Sequence, residues 1–338
     1  MIDFESSESH LLLNPRLAGE ERARLAAIAP KLDAHIFVAT SGTTGAIKLV
    51  ALSKRAVLAS AAAVNARLKA TRDDIWCRVL PHFHVGGLGI EARAHLTSSV
   101  VLPLAWDPHA FASTDATLAS LVPTQVHDLV RAKLKPPPRM RAILVGGGAL
   151  DHALQREARN LGWPMLATYG MSECGSTVVI EDLLLDHLDA RREEDGRLAF
   201  RGASLFTGYA TEEGLIDPKI DGWFISEDFG EVDGRTLQLF GRGADFVKVG
   251  GESVDLLRLD AIARSIAGDD AAVIAISDAR LGHIIHLAVT RDAEAITNAF
   301  NARVAPFERA REVHVVPAIP RSPLGKLLRA QLCEIIGR

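Results

Sequence analysis

Only three cysteines occur in the 338 residues, Cys77, Cys174 and Cys333, and they stand far apart. That spacing excludes Cys-x-x-Cys redox motifs and cysteine-based metal sites, and unpaired thiols fit a reducing cytoplasm. Neither sign of charge is in large excess. The formal net charge is −4, so there is no basic footprint for nucleic acid. No apolar run is long enough to cross a bilayer. The acidic start, Met1-Ile2-Asp3-Phe4-Glu5, lacks the basic-then-apolar order of a secretory signal. Internal repeats and low-complexity tracts are missing. So are a Walker A loop and a Gly-x-Ser-x-Gly nucleophile elbow, which argues against P-loop and α/β-hydrolase chemistry. Apolar residues make up 48% of the chain, enough to bury the cores of roughly two domains at this length.

The pattern along the chain predicts a short helix at 19–29 and then, from His35 to about Tyr169, alternation of strands and helices. Strands are expected at 75–80, 99–104, 141–145 and 164–169. Helices are expected at 53–68, 111–119, 124–133 and 149–161, with Ser53 and Thr124 as N-caps. Such alternation implies a mainly parallel sheet covered on both faces. After Thr177 short strands are expected at 197–201, 204–209, 223–225 and 236–240, with a turn at Asp233-Gly234. Beyond Gly241-Arg242-Gly243 the pattern gives a helix at 256–267, strands at 272–277 and 283–290, a helix at 293–303, a strand at 312–316 and a last helix near Leu327. The expected class is α/β. An N-terminal, mainly parallel αβ sheet core with a small β-rich subdomain spans 1–241, and a small α+β domain spans 242–338.

Residues 40–48, Thr40-Ser41-Gly42-Thr43-Thr44-Gly45-Ala46-Ile47-Lys48, follow the apolar run His35–Ala39. Glycines let backbone come close to a ligand. Hydroxyls and free N–H groups donate to phosphate oxygens, and Lys48 adds a point charge. The composition suits a polyphosphate such as ATP, although a polar surface loop shares it. Tyr169-Gly170-Met171-Ser172-Glu173 offers a hydroxyl for phosphate and a carboxylate for Mg²⁺, which takes oxygen ligands. Asp228 closes Gly222–Asp228 with a carboxylate able to accept two ribose hydroxyls. A charged, glycine-rich stretch runs from Gly241 to Glu252, and Pro320–Lys326 presents a lysine near the end of the chain.

In this order, these five segments resemble the adenylate-forming superfamily of acyl-CoA synthetases, peptide-synthetase adenylation domains and luciferases. The family's Thr-Ser-Gly-Thr-Thr-Gly-x-x-Lys loop is matched at 40–48, and its Tyr-Gly-x-Thr-Glu at 169–173. Pro81–Gly89, Ala119–Gln125, Arg141–Ala149 and Ser176-Thr177 are similar to o-succinylbenzoate–CoA ligases of menaquinone biosynthesis. The resemblance implies a two-step reaction. A carboxylate attacks the α-phosphate of MgATP to give an acyl-adenylate and pyrophosphate, and a thiol, that of coenzyme A, then displaces AMP. It further implies catalytic roles for Lys326 and Lys48. ATP would be bound by Thr40, Ser41, Gly42, Thr43, Thr44, Gly45, Lys48, Gly147, Tyr169, Gly170, Met171, Ser172, Asp228 and Arg242, and the metal by Glu173. His84, Val85, Thr124, Gln125, Gly147, Gly148 and Ser176 would meet the acyl substrate. The C-terminal domain would be mobile, turning about the 241–252 segment.

Read from the residues alone, several of these positions have a second account. His84 is a pocket residue or a packed turn residue. Thr124 and Gln125 contact substrate or simply cap a helix. Gly146-Gly147-Gly148 form a backbone wall or a strand-to-helix turn. Arg242 reaches ribose or pairs with Asp245. The loop also departs from the family in carrying Ile47 where a proline is usual. Ala244 stands where an acidic hinge residue is expected, and only 39 residues precede the loop. Long family members carry a further subdomain there. Its loss is expected to leave a sheet face uncovered, a surface for a homodimer. Activation of another aryl or acyl acid, transfer to a carrier-protein thiol, and a truncated non-catalytic nucleotide- or acyl-binding protein are the alternative functions.

Overall fold

A computed structural model describes residues 2–41, 47–148, 150, 152–243, 246–249, 252–278, 281–321 and 327–337. In chain order the first elements are β1 (His10–Leu12), α1 (Gly19–Ile28), β2 (His35–Ser41), β3 (Ile47–Ser53) and α2 (Lys54–Leu68). Next come β4 (Ile75–Arg78), α3 (Val85–Thr97), β5 (Val100–Pro103), α4 (Pro108–Ala112), β6 (Leu118–Leu121), α5 (Pro123–Arg131), β7 (Ala142–Val145), α6 (His152–Asn160) and β8 (Met165–Met171). The strand-rich part holds β9 (Ser176–Ile180), β10 (Leu183–Leu184), β11 (Leu188–Arg192), β12 (Arg197–Gly202), β13 (Gly208–Thr211), β14 (Gly214–Ile216), β15 (Phe224–Asp233) and β16 (Thr236–Arg242). The last stretch holds β17 (Phe246–Val249), β18 (Glu252–Asp255), α7 (Leu256–Ala267), β19 (Ala271–Asp278), β20 (Gly282–Val289), α8 (Ala293–Asn301), β21 (Glu312–Val315) and α9 (Arg329–Ile335).

Contacts divide the chain into two compact units. The first is Met1–Ser226 with Glu231–Gln238, and the second is Glu227–Gly230 with Leu239–Arg338. In the first unit β5, β4, β6, β7 and β8 lie side by side and pair in parallel. β6 and β7 are buried at every position, as strands covered on both faces must be. Residues of α2 and α3 share one core with one face, around Trp76, Leu118 and Leu144. Residues of α4, α5 and α6 cover the other, around Phe111, Ile143 and Trp163. β4 is flanked by β5 on one side and β6 on the other, so the strand order reverses between β4 and β6. In open α/β sheets ligands bind outside the carboxyl ends of the strands at such a switch point.

Several local expectations change. β2 and β3 form an antiparallel hairpin, with Thr40 opposite Lys48, and belong to a separate five-stranded sheet β1-β2-β3-β13-β14. The apolar stretch 47–52 is therefore a strand of its own, leading into α2 at Lys54, where Ser53 is the expected N-cap and its Oγ accepts from Ala56 N at 3.1 Å. α3 was hidden by Gly86, Gly87 and Gly89, which weaken any helix signal. A Cβ on Gly87 would lie 2.2 Å from Pro81 O, so that glycine lets the helix start close under the preceding loop. The helix expected at 111–119 ends at Ala112, and its last residues enter β6, buried between two neighbouring strands. The strand-rich part forms no sheet of its own: β9–β12, β15 and β16 extend the parallel sheet to eleven strands, and β13 and β14 join the hairpin sheet. Leu25 of α1, fully buried, packs on Phe37, Leu49 and Ala51 of the small sheet.

Within the second unit β18, β17, β20 and β19 form a sheet, and β21 pairs in parallel with β20. α7 and α8 contribute to a core around Leu259, Val273, Leu287 and Phe300. Leu332 of α9 packs with Ile274 and Ala288. Among the described residues no helix is long and apolar enough to cross a membrane.

Candidate active site

Four of the expected segments emerge where parallel strands end. β4 leads to His84 and Val85, β6 to Thr124 and Gln125, β7 to Gly146–Gly148, and β8 carries Tyr169, Gly170 and Met171 into Ser172 and Glu173. The ends of β6 and β7 meet closely: a Cβ on Gly147 would lie 3.4 Å from Val122 Cγ1, and one on Gly148 3.7 Å from Pro123 Cγ. Gly147 has φ +76°, a left-handed conformation that favours glycine. A Cβ on Gly146 would sit 2.5 Å from Thr168 Oγ1. The three glycines therefore make a side-chain-free rim, whatever else they do.

Lys48 and Glu173 are brought together through a residue the sequence did not single out. β13 pairs antiparallel with β3, placing Tyr209 opposite Val50. Lys48 lies two residues from Val50 and so on the same face. Its Nζ is 5.2 Å from the centroid of the Tyr209 ring, within cation–π range. Tyr209 Oη donates to Glu173 Oε1 at 2.8 Å. Glu173 sits in a short 3₁₀ turn after β8, half-buried, and its backbone carbonyl accepts from Phe206 N at 2.8 Å. The carboxylate is thus fixed at one oxygen, leaving Oε2 for another ligand, and its hard oxygen donors fit Mg²⁺. Only the family pattern at 40–48 and 169–173 pointed to the pair. The Tyr209 bridge depends on a strand pairing between residues far apart in sequence.

The other candidates fall as follows. Thr40 is half-buried on β2 and Ser41 ends that strand; Gly42, Thr43, Thr44 and Gly45 lie outside the described residues. A β-bulge falls at Tyr169/Gly170, and a Cβ on Gly170 would come within 2.0 Å of Ser176 O, so β8 and β9 touch there. His84 is the N-cap residue of α3 but makes no side-chain cap; its ring lies 4.6 Å from that of Phe83. Burial lowers the His84 pKa, which favours a neutral imidazole at neutral pH. Val85 opens α3, half-buried. Thr124 is not the N-cap expected. Val122 is, with Pro123 at the first turn. Gln125 is buried, and its Oε1 accepts from Val122 N at 3.0 Å, so it caps the start of α5. Asp228 is buried on β15, and Arg242 ends the neighbouring β16; both fall in the second unit. Lys326 lies outside the described residues.

Sequence reasoning also missed Arg93. It lies on α3, is 1% exposed, and has Trp76 beneath it, its guanidinium 5.4 Å from the ring centroid. Its partners are hydroxyls: Ser120 Oγ at 3.2 Å, Ser176 Oγ at 3.4 Å and Thr177 Oγ1 at 3.0 Å. No carboxylate among the described residues pairs with it. Burial lowers its pKa to about 10, so it is still a cation at neutral pH. A buried charge without a counter-ion is costly. Here it faces Ser176, one of the expected acyl-site residues. The available signal was an arginine in a run of glycines and apolar residues, legible only once that run is known to be a helix.

Carboxyl-end loops on a switched parallel sheet, with a lysine and a fixed carboxylate beside them, define a nucleotide-binding α/β enzyme. The sequence profile of the AMP-binding enzyme family matches residues 7–210, and the chain belongs to that family. It is 31% identical over 334 residues to a probable 2-succinylbenzoate–CoA ligase of Mycobacterium tuberculosis, covering 89% of this chain and 84% of that protein. It is 26% identical to the 2-succinylbenzoate–CoA ligase of Bacillus cytotoxicus, covering 90% and 70%. Among solved structures it is similar to o-succinylbenzoate CoA synthetase from Bacillus subtilis in complex with the acyl-adenylate intermediate. The TM-score is 0.75 at 25% identity, over 88% of this chain and 68% of that one.

Proposed function

We propose that the protein is an ATP-dependent acid–thiol ligase that converts 2-succinylbenzoate to its adenylate and then to the coenzyme A thioester, a step of menaquinone biosynthesis carried out in the cytoplasm. The observation that carries the choice of acid is Arg93. 2-Succinylbenzoate has two carboxylates. One reacts, and the other needs a counter-charge if it is to be held out of water. A buried guanidinium ringed by Ser120, Ser176 and Thr177 offers that charge and three adjustable hydroxyls. A simple aryl or fatty acid has no group to place there.

In this reading Lys48 and the backbone of residues 40–45 hold the phosphates. Glu173, steadied by Tyr209, holds Mg²⁺, which neutralises charge building on the triphosphate. Asp228 and Arg242 engage the ribose, and Tyr169–Ser172 with Gly147 line the nucleotide. His84, Val85, Thr124 and Gly148 border the acid, with neutral His84 a contact rather than a base. Lys326 places its ammonium between the attacking carboxylate and the α-phosphate. The second unit is mobile, withdrawing Lys326 before the thiol attacks.

The test is ATP–pyrophosphate exchange with 2-succinylbenzoate, benzoate and medium-chain fatty acids at saturating Mg²⁺, followed by thioester formation with free coenzyme A. Exchange led by 2-succinylbenzoate is expected. Equal exchange with benzoate overturns the choice of acid. No exchange with any acid favours a non-catalytic binding protein, and exchange without thioester favours a carrier-protein acceptor.

A further inference from the structure

We propose that His286, Glu312 and His314, in the second unit, form a binding site for a divalent transition-metal ion of the zinc class, separate from the magnesium-nucleotide chemistry. The strand register brings them together. β20 and β21 run in parallel with His286 opposite Glu312 and Ala288 opposite His314. Glu312 and His314 are two residues apart and so share one face of β21. One ligand atom from each residue faces the same point: His286 Nδ1 is 2.9 Å from His314 Nε2 and 3.5 Å from Glu312 Oε2, and the last two are 3.9 Å apart. A tetrahedral ion with bonds of about 2.0–2.1 Å has ligand atoms about 3.3 Å from one another. The three separations straddle that value, so small side-chain adjustments complete the geometry.

The donor set selects the ion. Two imidazoles and one carboxylate suit zinc, cobalt, nickel or copper, whereas magnesium and calcium take oxygen ligands. Three protein ligands among the described residues are the number a zinc site with a water as fourth ligand uses. His286 is 1% exposed, held by the sheet, while the Glu312 side chain is 51% exposed and gives the ion a way in. Without metal, the 2.9 Å contact is a hydrogen bond between the two rings. Binding needs a lone pair on both facing nitrogens, so the proton between them moves to the far nitrogen of its own ring. The bound ion joins the side strand β21 to β20 and stabilises the folded second unit by mass action.

The full-length protein, free of nucleotide, is titrated with Co²⁺ and followed by visible absorption, then melted with and without Zn²⁺. One Co²⁺ per chain with a tetrahedral-type spectrum is expected, and excess Mg²⁺ does not displace it. Glu312→Gln and His314→Gln, which keep polar groups at the edge and so spare the fold, each weaken Co²⁺ binding at least about tenfold and abolish the Zn²⁺-dependent rise in melting temperature. Glu173→Gln leaves Co²⁺ binding unchanged. The proposal is overturned if wild type gives no such spectrum, or if the two edge variants, shown folded by circular dichroism, bind as tightly as wild type.

Discussion

Tyr209 does two things that one substitution can separate. Its ring lies near the Lys48 ammonium, and its hydroxyl donates to Glu173. Tyr209→Phe keeps the ring and loses only the hydrogen bond, so the Mg²⁺ concentration for half-maximal exchange should rise about tenfold, as when a metal ligand loses its outer partner. The KM for ATP at saturating Mg²⁺ should stay near wild type. Tyr209→Leu removes both contacts and should raise that KM as well. An unchanged Mg²⁺ requirement in Tyr209→Phe would show that the hydroxyl does not steady the carboxylate, and equal effects of the two changes would show that the ring does nothing for Lys48. Arg93 gives a complementary test. Arg93→Met should lower kcat/KM for 2-succinylbenzoate by at least about 30-fold, the lower end for truncating one side of a buried charge pair, while hardly changing the rate with benzoate. Both residues escaped the sequence for the same reason. Lys48 and Glu173 sit in motifs whose residue types state their chemistry, whereas Tyr209 and Arg93 acquire roles only through strand pairing and helix packing.

Elements were legible where their periodicity was clean. The helices of the second unit and α2 lie close to where their apolar spacing put them, and Ser53 caps α2 as its position suggested. The failures have local causes. Gly86, Gly87 and Gly89, of which Gly87 is demanded by close backbone approach, disguised α3. β6 is a short, fully buried strand whose apolar run reads equally as helix. Element junctions also carry the clearest pH effect. Asp74, just before β4, accepts from Arg141 Nη2 at 2.7 Å and Nε at 2.8 Å, from Thr71 N at 2.8 Å and from Thr117 Oγ1 at 2.7 Å. Arg141 Nη1 also donates to Leu68 O at the end of α2. Burial pushes the Asp74 pKa up, but the hydrogen bonds from Arg141, Thr71 and Thr117 and the Arg141 charge outweigh it and hold it at about 2. A carboxylate depressed in the folded state adds stability above its ordinary pKa and loses it as pH falls toward the folded value. The contribution, about 2 kcal/mol, should therefore be present at neutral pH and fade between roughly pH 4 and pH 2. In denaturant melts Asp74→Asn should be less stable than wild type at pH 7, and the gap should narrow across that window. A constant gap would assign the cost to packing instead.

On the scale of the whole molecule, composition and strand–helix alternation made an α/β protein legible, and the five segments in order made its family legible. The merging of the strand-rich part into two larger sheets was not, because strand partners far apart in sequence leave no periodic trace. The two-unit organisation bears on the reaction cycle. Lys326→Ala should lower adenylation by several powers of ten, on the scale of losing a dominant electrostatic stabiliser, yet spare thioester formation from supplied acyl-adenylate. Half-reaction assays decide this: equal loss in both would mean that the lysine serves a fixed site.

The solitary cation on α3 has an effect beyond turnover. In the proposed reading the unliganded protein offsets the desolvation of Arg93 with hydroxyls alone, and a dianionic acid would relieve it further, which would link occupancy and folding. A melting-temperature screen would then rank candidate acids without ATP. Inside a cell starved of the right acid, more of the chain would stand unfolded and open to proteolysis, tying the amount of enzyme to the supply of what it consumes.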